Sequence, residues 1–399
     1  MVHLSAAIQR IQPSATLGVS AKAAALKAQG KDIVSLSVGE PDFAVPDSAR
    51  EAALTAIREG NNLYTAVEGT PALRRAIADK FLADNHLTYD PQDIIVSTGG
   101  KQVIFNAMIA TVGQGDEVVI PAPYWVSYPD MVALAGGTPV IVPTRAADGY
   151  KMEPAALEAA ITPATRWLML NSPSNPTGAV YTAAELEAFA QVLRRHPQVW
   201  VLSDDIYEHI RYGTDAYATI AQVAPDLAER TLTLNGASKA FAMTGWRIGF
   251  AGGPRDLIKA MVKAQSQSTS NACAIAQAAC LGALTGDMGF LATRAAIFRE
   301  RRDMVVARLC AMPGLTCPTP DGAFYVFPEC AGLIGKRTPE GKPLATDEDV
   351  AGYLLENGVA VVHGAAFGHS PAFRVSYATD TSSLATAMDR IEAAIAALN

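Results

Sequence analysis

The sequence predicts an α/β protein, with a mostly parallel central sheet covered by helices and a smaller α+β unit towards the C-terminus. Three observations predict it. Short apolar strands alternate with helix-spaced segments between residues 94 and 252, as in successive βαβ units. The chain has 399 residues, more than a single hydrophobic core usually serves. Beyond residue 309 the pattern changes to strands and helices with turns of their own. Half of the residues are apolar and 18% are charged, so burial offsets the entropy of ordering and global disorder is excluded.

In chain order, a short helix is predicted over 21–28 and an apolar alternation, IVSLSVG, over 33–39, running into the turn GEPDF. Apolar residues recur at helical spacing over 48–58 and 71–84, each stretch ending near Gly or Asn. The period then changes. IIVSTGG (94–100) is a strand entering a double-glycine turn, KQVIFNAMIATV a helix, and residues 116–123 another strand. Helices over 128–135, 154–161 and 183–194 alternate with strands over 138–143, 165–173 and 199–205, followed by strands over 230–238 and 246–252. From 271 to about 309 one long helical region with heptad-like spacing links the two units. The C-terminal unit holds strand GAFYVFP, helix 347–356, strands GVAVVHG and AFRVSYA, and helix 382–398. The expected division is an arm over 1–45, a large domain over 46–308 and a small domain over 309–399. The arm has no core of its own, so it packs on the small domain or reaches a partner subunit.

The balance of 32 Lys plus Arg against 39 Asp plus Glu, net −7, argues against an extended nucleic-acid face. Cys273, Cys280, Cys310, Cys317 and Cys330 form no CxxC pair, which fits a reducing compartment better than a disulfide framework or zinc knuckle. Polar residues interrupt every apolar stretch near the N-terminus, and no run of 18 apolar residues occurs, so no membrane association and a cytoplasmic location are expected. No GxGxxG, Walker A, HExxH or GxSxG stands in a suitable context. The six histidines, His3, His86, His196, His209, His363 and His369, are scattered, and their spacing supports no metal triad.

The segment richest in chemistry is TLTLNGASKAFAMTGWRIGF, residues 231–250. A strand delivers Gly236, Ala237, Ser238 and Lys239 to a turn, and Arg247 follows eight residues after the lysine, between Gly245 and Gly249. A lysine that attacks carbonyls needs a fixed position, and a nearby guanidinium clamps phosphate. A lysine at a strand end is more often a solvated surface residue; the surrounding Gly, Ser and Arg favour the chemical reading. Other candidates lie at strand ends in STGGKQ, NSPSNPTG and SDD, where sites gather in parallel sheets.

Segment 231–250 resembles the cofactor-attachment site of the fold-type I pyridoxal-phosphate aminotransferases, the aspartate aminotransferase family. The resemblance extends over nearly the whole chain through SVGEPDF, YTAVEGTPALRRAI, STGGKQ, PYWVSYPD, NSPSNPTG, SDDIYEH and FRVSYA. GGKQ, PYWVSYP and FAMTGWRIG are most similar to the bacterial one-gamma, or one-b, branch. The resemblance implies pyridoxal 5'-phosphate as cofactor and a homodimer with its sites at the subunit interface. The substrates are then amino acids and 2-oxo acids, exchanged in an L-aspartate:2-oxoglutarate transamination. Transamination of prephenate, alone or as a second activity, and of aromatic amino acids are the alternatives.

The same resemblance distributes the roles. Lys239 holds the cofactor and moves the substrate proton. Asp204 faces the pyridine nitrogen, although Asp205 is an equal choice by chemistry alone. Tyr207 and Asn175 hold the cofactor's 3'-oxygen, and Trp125 stacks on its ring. Gly99, Gly100, Lys101, Ser238 and Arg247 form the phosphate cup, to which Tyr64 is added from the neighbouring subunit. Many relatives carry serine where this chain has Gly236, which removes one hydroxyl from that cup. Arg374, helped by Gly39 and Asn175, clamps the α-carboxylate. Lys101 is the selector for a second carboxylate, since no arginine stands between Lys263 and Ala272, where other branches supply one.

Overall fold

The computed structural model describes residues 2–399. Its first strand, β1 (Val34–Ser35), lies outside the central sheet. The next seven build that sheet: β2 (Ile94–Ser97), β3 (Glu117–Ala122), β4 (Thr138–Pro143), β5 (Thr165–Asn171), β6 (Trp200–Asp204), β7 (Thr231–Gly236) and β8 (Gly249–Gly252). They lie in the order β2-β8-β7-β6-β5-β3-β4. All neighbours are parallel except β8, which is antiparallel to β2 and β7. One face packs on Val103, Ile104 and Met108 of the helix Gly100–Thr111, the other on Leu186, Phe189 and Leu193 of the helix Ala183–Arg194. The second helix starts where Thr182 and Glu185 form a capping box. Because β2, β3, β5, β6 and β7 point the same way, the loops that follow them emerge at one edge.

The C-terminal unit holds β9 (Tyr325–Val326), β10 (Val359–Ala360), β11 (Val362–His363) and β12 (Phe373–Ser376). β11, β12 and β9 form an antiparallel sheet, and β10 pairs in parallel with β1. Ala23 and Ile33 of the arm pack against Leu355 and Ala360, so the arm lies on the C-terminal unit of its own chain. The main core of this unit takes Phe298, Val305 and Leu309 from the helix Phe290–Ala311 and Leu384 and Ile391 from the helix Thr381–Ala396.

Four expectations are corrected. GVAVVHG is two strands in two sheets: buried Val361 separates Val359–Ala360, paired with β1, from Val362–His363, paired with β12. The long region from 271 is two helices, Ala274–Thr285 and Phe290–Ala311, at 90° to each other. A Cβ on Gly282 would lie 2.5 Å from the Ser48 carbonyl oxygen and one on Gly286 2.4 Å from Ser48 Oγ, so the first helix packs closely on Asp47–Arg58 and ends there. The stretch after β8, read without an element, is the helix Arg255–Ser266, which buries Leu257, Ile258 and Met261. The strand expected from Trp246 starts at Gly249, because Thr244–Trp246 is a 3-10 turn and Arg247 takes a left-handed φ of 55°. Among the described residues no single helix is long and apolar enough to cross a membrane.

Candidate active site

The loops after β2, β3, β5, β6 and β7 converge on a cavity of about 80 Å³ lined by Lys101, Trp125, Asn175, Asp204, Tyr207 and Lys239, among others. Lys239 stands three residues beyond the end of β7 and donates from Nζ to the Gly39 carbonyl oxygen at 2.8 Å. Burial, with the positive charge of Arg374 behind it, pulls its pKa down to about 8.

Asp204 closes β6, and its Oδ2 accepts from the Tyr128 hydroxyl at 2.6 Å. Burial pushes its pKa up to about 6, against the pull of Tyr128, the Ile206 N–H and Lys239. Successive side chains on a strand point to opposite faces. Asp205 accordingly turns to Ser203, whose Oγ donates to Oδ1 at 2.7 Å, and does not line the cavity. Asn171 ties the neighbouring loop to this edge: its Nδ2 donates to the Asp204 carbonyl at 2.9 Å and its Oδ1 accepts from the Asn175 N–H at 2.8 Å.

Arg374 enters from β12. It is 3% exposed, donating from Nη1 to Asn175 Oδ1 at 2.8 Å and from Nη2 to the Ser37 carbonyl at 2.5 Å, while its Nε has no partner. Gly99 caps the helix Gly100–Thr111 with a φ of 85°, and a Cβ there would lie 2.3 Å from Arg247 Nη2. A Cβ on Gly249 would lie 2.2 Å from the Gly100 nitrogen, so three backbones and one guanidinium crowd around this helix start. Lys101 holds its ammonium 4.9 Å from the Trp125 ring centroid, and partial burial together with Arg247 lowers its pKa. Among the described residues, none of Lys101, Lys239, Arg247 and Arg374 is in a salt bridge. Four unpaired cations around one edge make a site for a polyanionic ligand.

The family model described as Aminotransferase class I and II matches residues 31–391. The chain belongs to that family. It is 55% identical over 400 residues to an aspartate/prephenate aminotransferase of Cereibacter sphaeroides, covering 100% of both chains. It is 53% identical to an aspartate aminotransferase of Rhizobium meliloti, over 97% of this chain and 95% of that one. Among solved structures, the Rhizobium meliloti aspartate aminotransferase superposes with a TM-score of 0.97 at 52% identity, covering 100% of both chains. The Thermus thermophilus aspartate aminotransferase with maleate gives 0.93 at 43% identity, over 99% of this chain and 100% of that one.

In this aminotransferase the sequence-predicted residues other than Tyr64 fall into three groups. Lys101, Trp125, Asn175, Asp204, Tyr207, Lys239 and Gly100 share the cavity. Gly39 and Arg374 meet Trp125, Asn175 and Lys239 in an adjoining cleft of about 170 Å³, which Thr16, Leu17 and Ser20 of the arm also line. Gly99 and Arg247 flank the helix start, and Ser238 is buried next to Lys239 in sequence. Tyr64 stands apart: it is 92% exposed, in a separate groove with Leu63, Thr269 and Asn271. Gly39, expected to help Arg374 hold the α-carboxylate through its N–H, lines the same cleft as Arg374 and gives its carbonyl to Lys239.

Sequence reasoning missed Tyr128, Asn171 and Tyr325. Tyr128 lies in the PYWVSYP run three residues after Trp125, in the first turn of the helix Ser127–Ala135, so its nearness to Trp125 in sequence was a usable signal. Tyr325 had none, because its contact with Tyr207 spans 118 residues of chain. Asp84, Glu208 and His209 also come together, with ligand atoms within 4.8 Å of one another. The Lys80 ammonium already fills that cluster, bonded to Glu208 and, at 2.7 Å, to Asn85.

Proposed function

We propose that this aminotransferase is a pyridoxal-phosphate-dependent L-aspartate:2-oxoglutarate aminotransferase acting as a homodimer, with prephenate as a second acceptor. The observation that carries the reading is a low-pKa lysine that lines both the cavity with the buried Asp204 carboxylate and the adjoining cleft with the buried Arg374, whose Nε has no partner. The residues fit the cofactor. Arg247 and the Gly99–Gly100 helix start suit a phosphate, Asp204 a ring nitrogen that keeps its proton, and Lys239 an aldehyde. When bound, the cofactor supplies the carbonyl that takes the amino group and the electron sink that lets the substrate Cα–H ionise.

The protein's own groups do the rest. Lys239 Nζ, with its pKa near 8, would take the Cα proton and deliver it across the amino nitrogen to the carbon that the cofactor's carbonyl supplied. Tyr207 Oη and Asn175 Nδ2 would hold the 3'-oxygen; Asn175 is left to donate there because its Oδ1 is engaged by Arg374. Arg374 fixes the α-carboxylate, and Lys101, a mobile point charge, takes a second carboxylate with looser geometry than an arginine fork. The relatives named for aspartate and for aspartate/prephenate support aspartate as donor and prephenate as an acceptor, and the neighbour with maleate supports a dicarboxylate. A panel of amino donors and oxo acids, followed by half-reaction absorbance, tests the assignment. It fails if aspartate and glutamate rank below monocarboxylic donors.

Exchanging Asp204 for Ala leaves the cofactor bound but lowers kcat by about 10²–10⁴-fold, because the loss falls on the transition state. Asp205→Ala affects kcat far less. Single-turnover kinetics of both variants check this, and the reverse ranking would mean the wrong carboxylate.

The dimer is proposed on the groove beside Tyr64, where Leu63 is 80% and Tyr64 92% exposed, with Tyr64 reaching the partner's phosphate cup. A heterodimer of a Tyr64→Phe chain and a Lys239→Ala chain then carries both lesions in one site and none in the other. Its activity is half that of the wild-type dimer per dimer, and two impaired sites would refute the shared arrangement. The division into an arm (1–45), a large domain (46–308) and a small domain (309–399) is likewise proposed, with the helix Phe290–Ala311 as the link. The five free thiols support a reducing, cytoplasmic compartment.

A further inference from the structure

Tyr325, at the start of β9, is 1% exposed, and its hydroxyl lies 3.0 Å from that of Tyr207. Among the described residues this is the hydrogen bond its hydroxyl makes. A buried hydroxyl costs free energy unless it is bonded, and phenylalanine would fill the same volume without that cost. The side chain is held on all sides. Its ring lies under the Arg374 guanidinium at 4.5 Å and packs on Phe324 at 4.7 Å. Its hydroxyl also abuts Gly39, where an added Cβ would come within 2.1 Å. Two residues upstream, Ala323 adopts a left-handed φ of 56°, with its carbonyl accepting from the Tyr212 and Tyr377 hydroxyls.

Proton counting gives this contact a direction. A phenol has one proton, so a Tyr207 that donates to the cofactor's 3'-oxygen has none left for Tyr325. At 3.0 Å the bond between them then requires Tyr325 to be the donor. We propose that Tyr325 is a positioning residue of this aminotransferase, donating to Tyr207 Oη and so directing the Tyr207 proton at the 3'-oxygen. The inference rests on the role given above to Tyr207. Accepting a hydrogen bond polarises the Tyr207 O–H and makes it a better donor. The same ring carries Arg374, so one residue sets both the proton on the cofactor side and the guanidinium on the substrate side.

The test is the pH at which the visible absorbance of the bound cofactor changes, measured in wild type, Tyr207→Phe, Tyr325→Phe and the double variant. Losing a donor leaves more negative charge on the 3'-oxygen, which holds the neighbouring proton more tightly and moves the midpoint up. The expected shifts are about 1 unit for Tyr207→Phe and ~0.5 unit for Tyr325→Phe. In the double variant the shift equals that of Tyr207→Phe alone, since Tyr325 acts through Tyr207. Maleate affinity of Tyr325→Phe stays within about twofold of wild type, because the ring under Arg374 remains and a bystander change is worth little. A shift in Tyr207→Phe with none in Tyr325→Phe overturns the inference and leaves the Tyr207 role standing. No shift in either variant overturns both. Additive shifts in the double variant also overturn it, since they would mean that Tyr325 acts on the cofactor by another route.

Discussion

Replacing Lys239 with Ala lowers transamination by more than about 10⁴-fold, the combined loss of the amine that holds the cofactor and of the group that moves the proton. The environment explains why no other lysine substitutes. Lys239 is half-buried against Tyr207 and Phe324 and close to the charge of Arg374, and its pKa of about 8 leaves an appreciable fraction as free amine at neutral pH. Lys101 lines the same cavity but is drawn over Trp125, and Lys80 is locked to Glu208 and Asn85. Borohydride reduction of the holoenzyme followed by peptide mapping therefore places the pyridoxyl group on Lys239. A modified Lys101 or Lys80 would sink the assignment. Lys239→Arg is as inactive as Lys239→Ala, because a guanidinium keeps its proton and does not serve as a base.

Much of this was legible before the structure, for a physical reason. Lys239 and Asp204 stand where apolar strands stop, and strand ends are visible as a change of period. The choice between Asp204 and Asp205 needed the phase of β6: the two differ by one residue and point to opposite faces, a difference composition does not carry. Contacts between distant segments were not legible. Tyr325 with Tyr207, Gln265 with Ser97 and Asn235 with Glu208 are set by how elements pack. The two strands within GVAVVHG escaped for the same reason, since each half is defined by its partner and both are equally apolar. The helix Arg255–Ser266 escaped although Leu257, Ile258 and Met261 carry helical spacing, because its flanks have no capping box.

Arg374 and Lys101 differ in what they are expected to recognise, and the two are separable by substrate. Arg374 is buried, its Nε is unpartnered, and its planar fork is held by Asn175, Ser37 and the Tyr325 ring. A carboxylate that docks there meets a guanidinium that has already paid its ordering entropy. Arg374→Ala thus removes a charge-assisted pair and costs about 2–5 kcal/mol. That is roughly a 30-fold to several-thousand-fold loss of kcat/KM, equal for aspartate and phenylalanine because both present an α-carboxylate. Lys101 is different. Its ammonium rests on Trp125 at the cavity mouth, and the nearby Arg247 makes an additional anion welcome there. Lys101→Met keeps the length of the side chain and deletes the charge, so the loss falls on substrates with a second carboxylate. The ratio of kcat/KM for aspartate to that for phenylalanine drops by about tenfold or more in Lys101→Met and is unchanged in Arg374→Ala. A ratio that stays at the wild-type value in Lys101→Met would show that the lysine serves the phosphate or the Trp125 face alone.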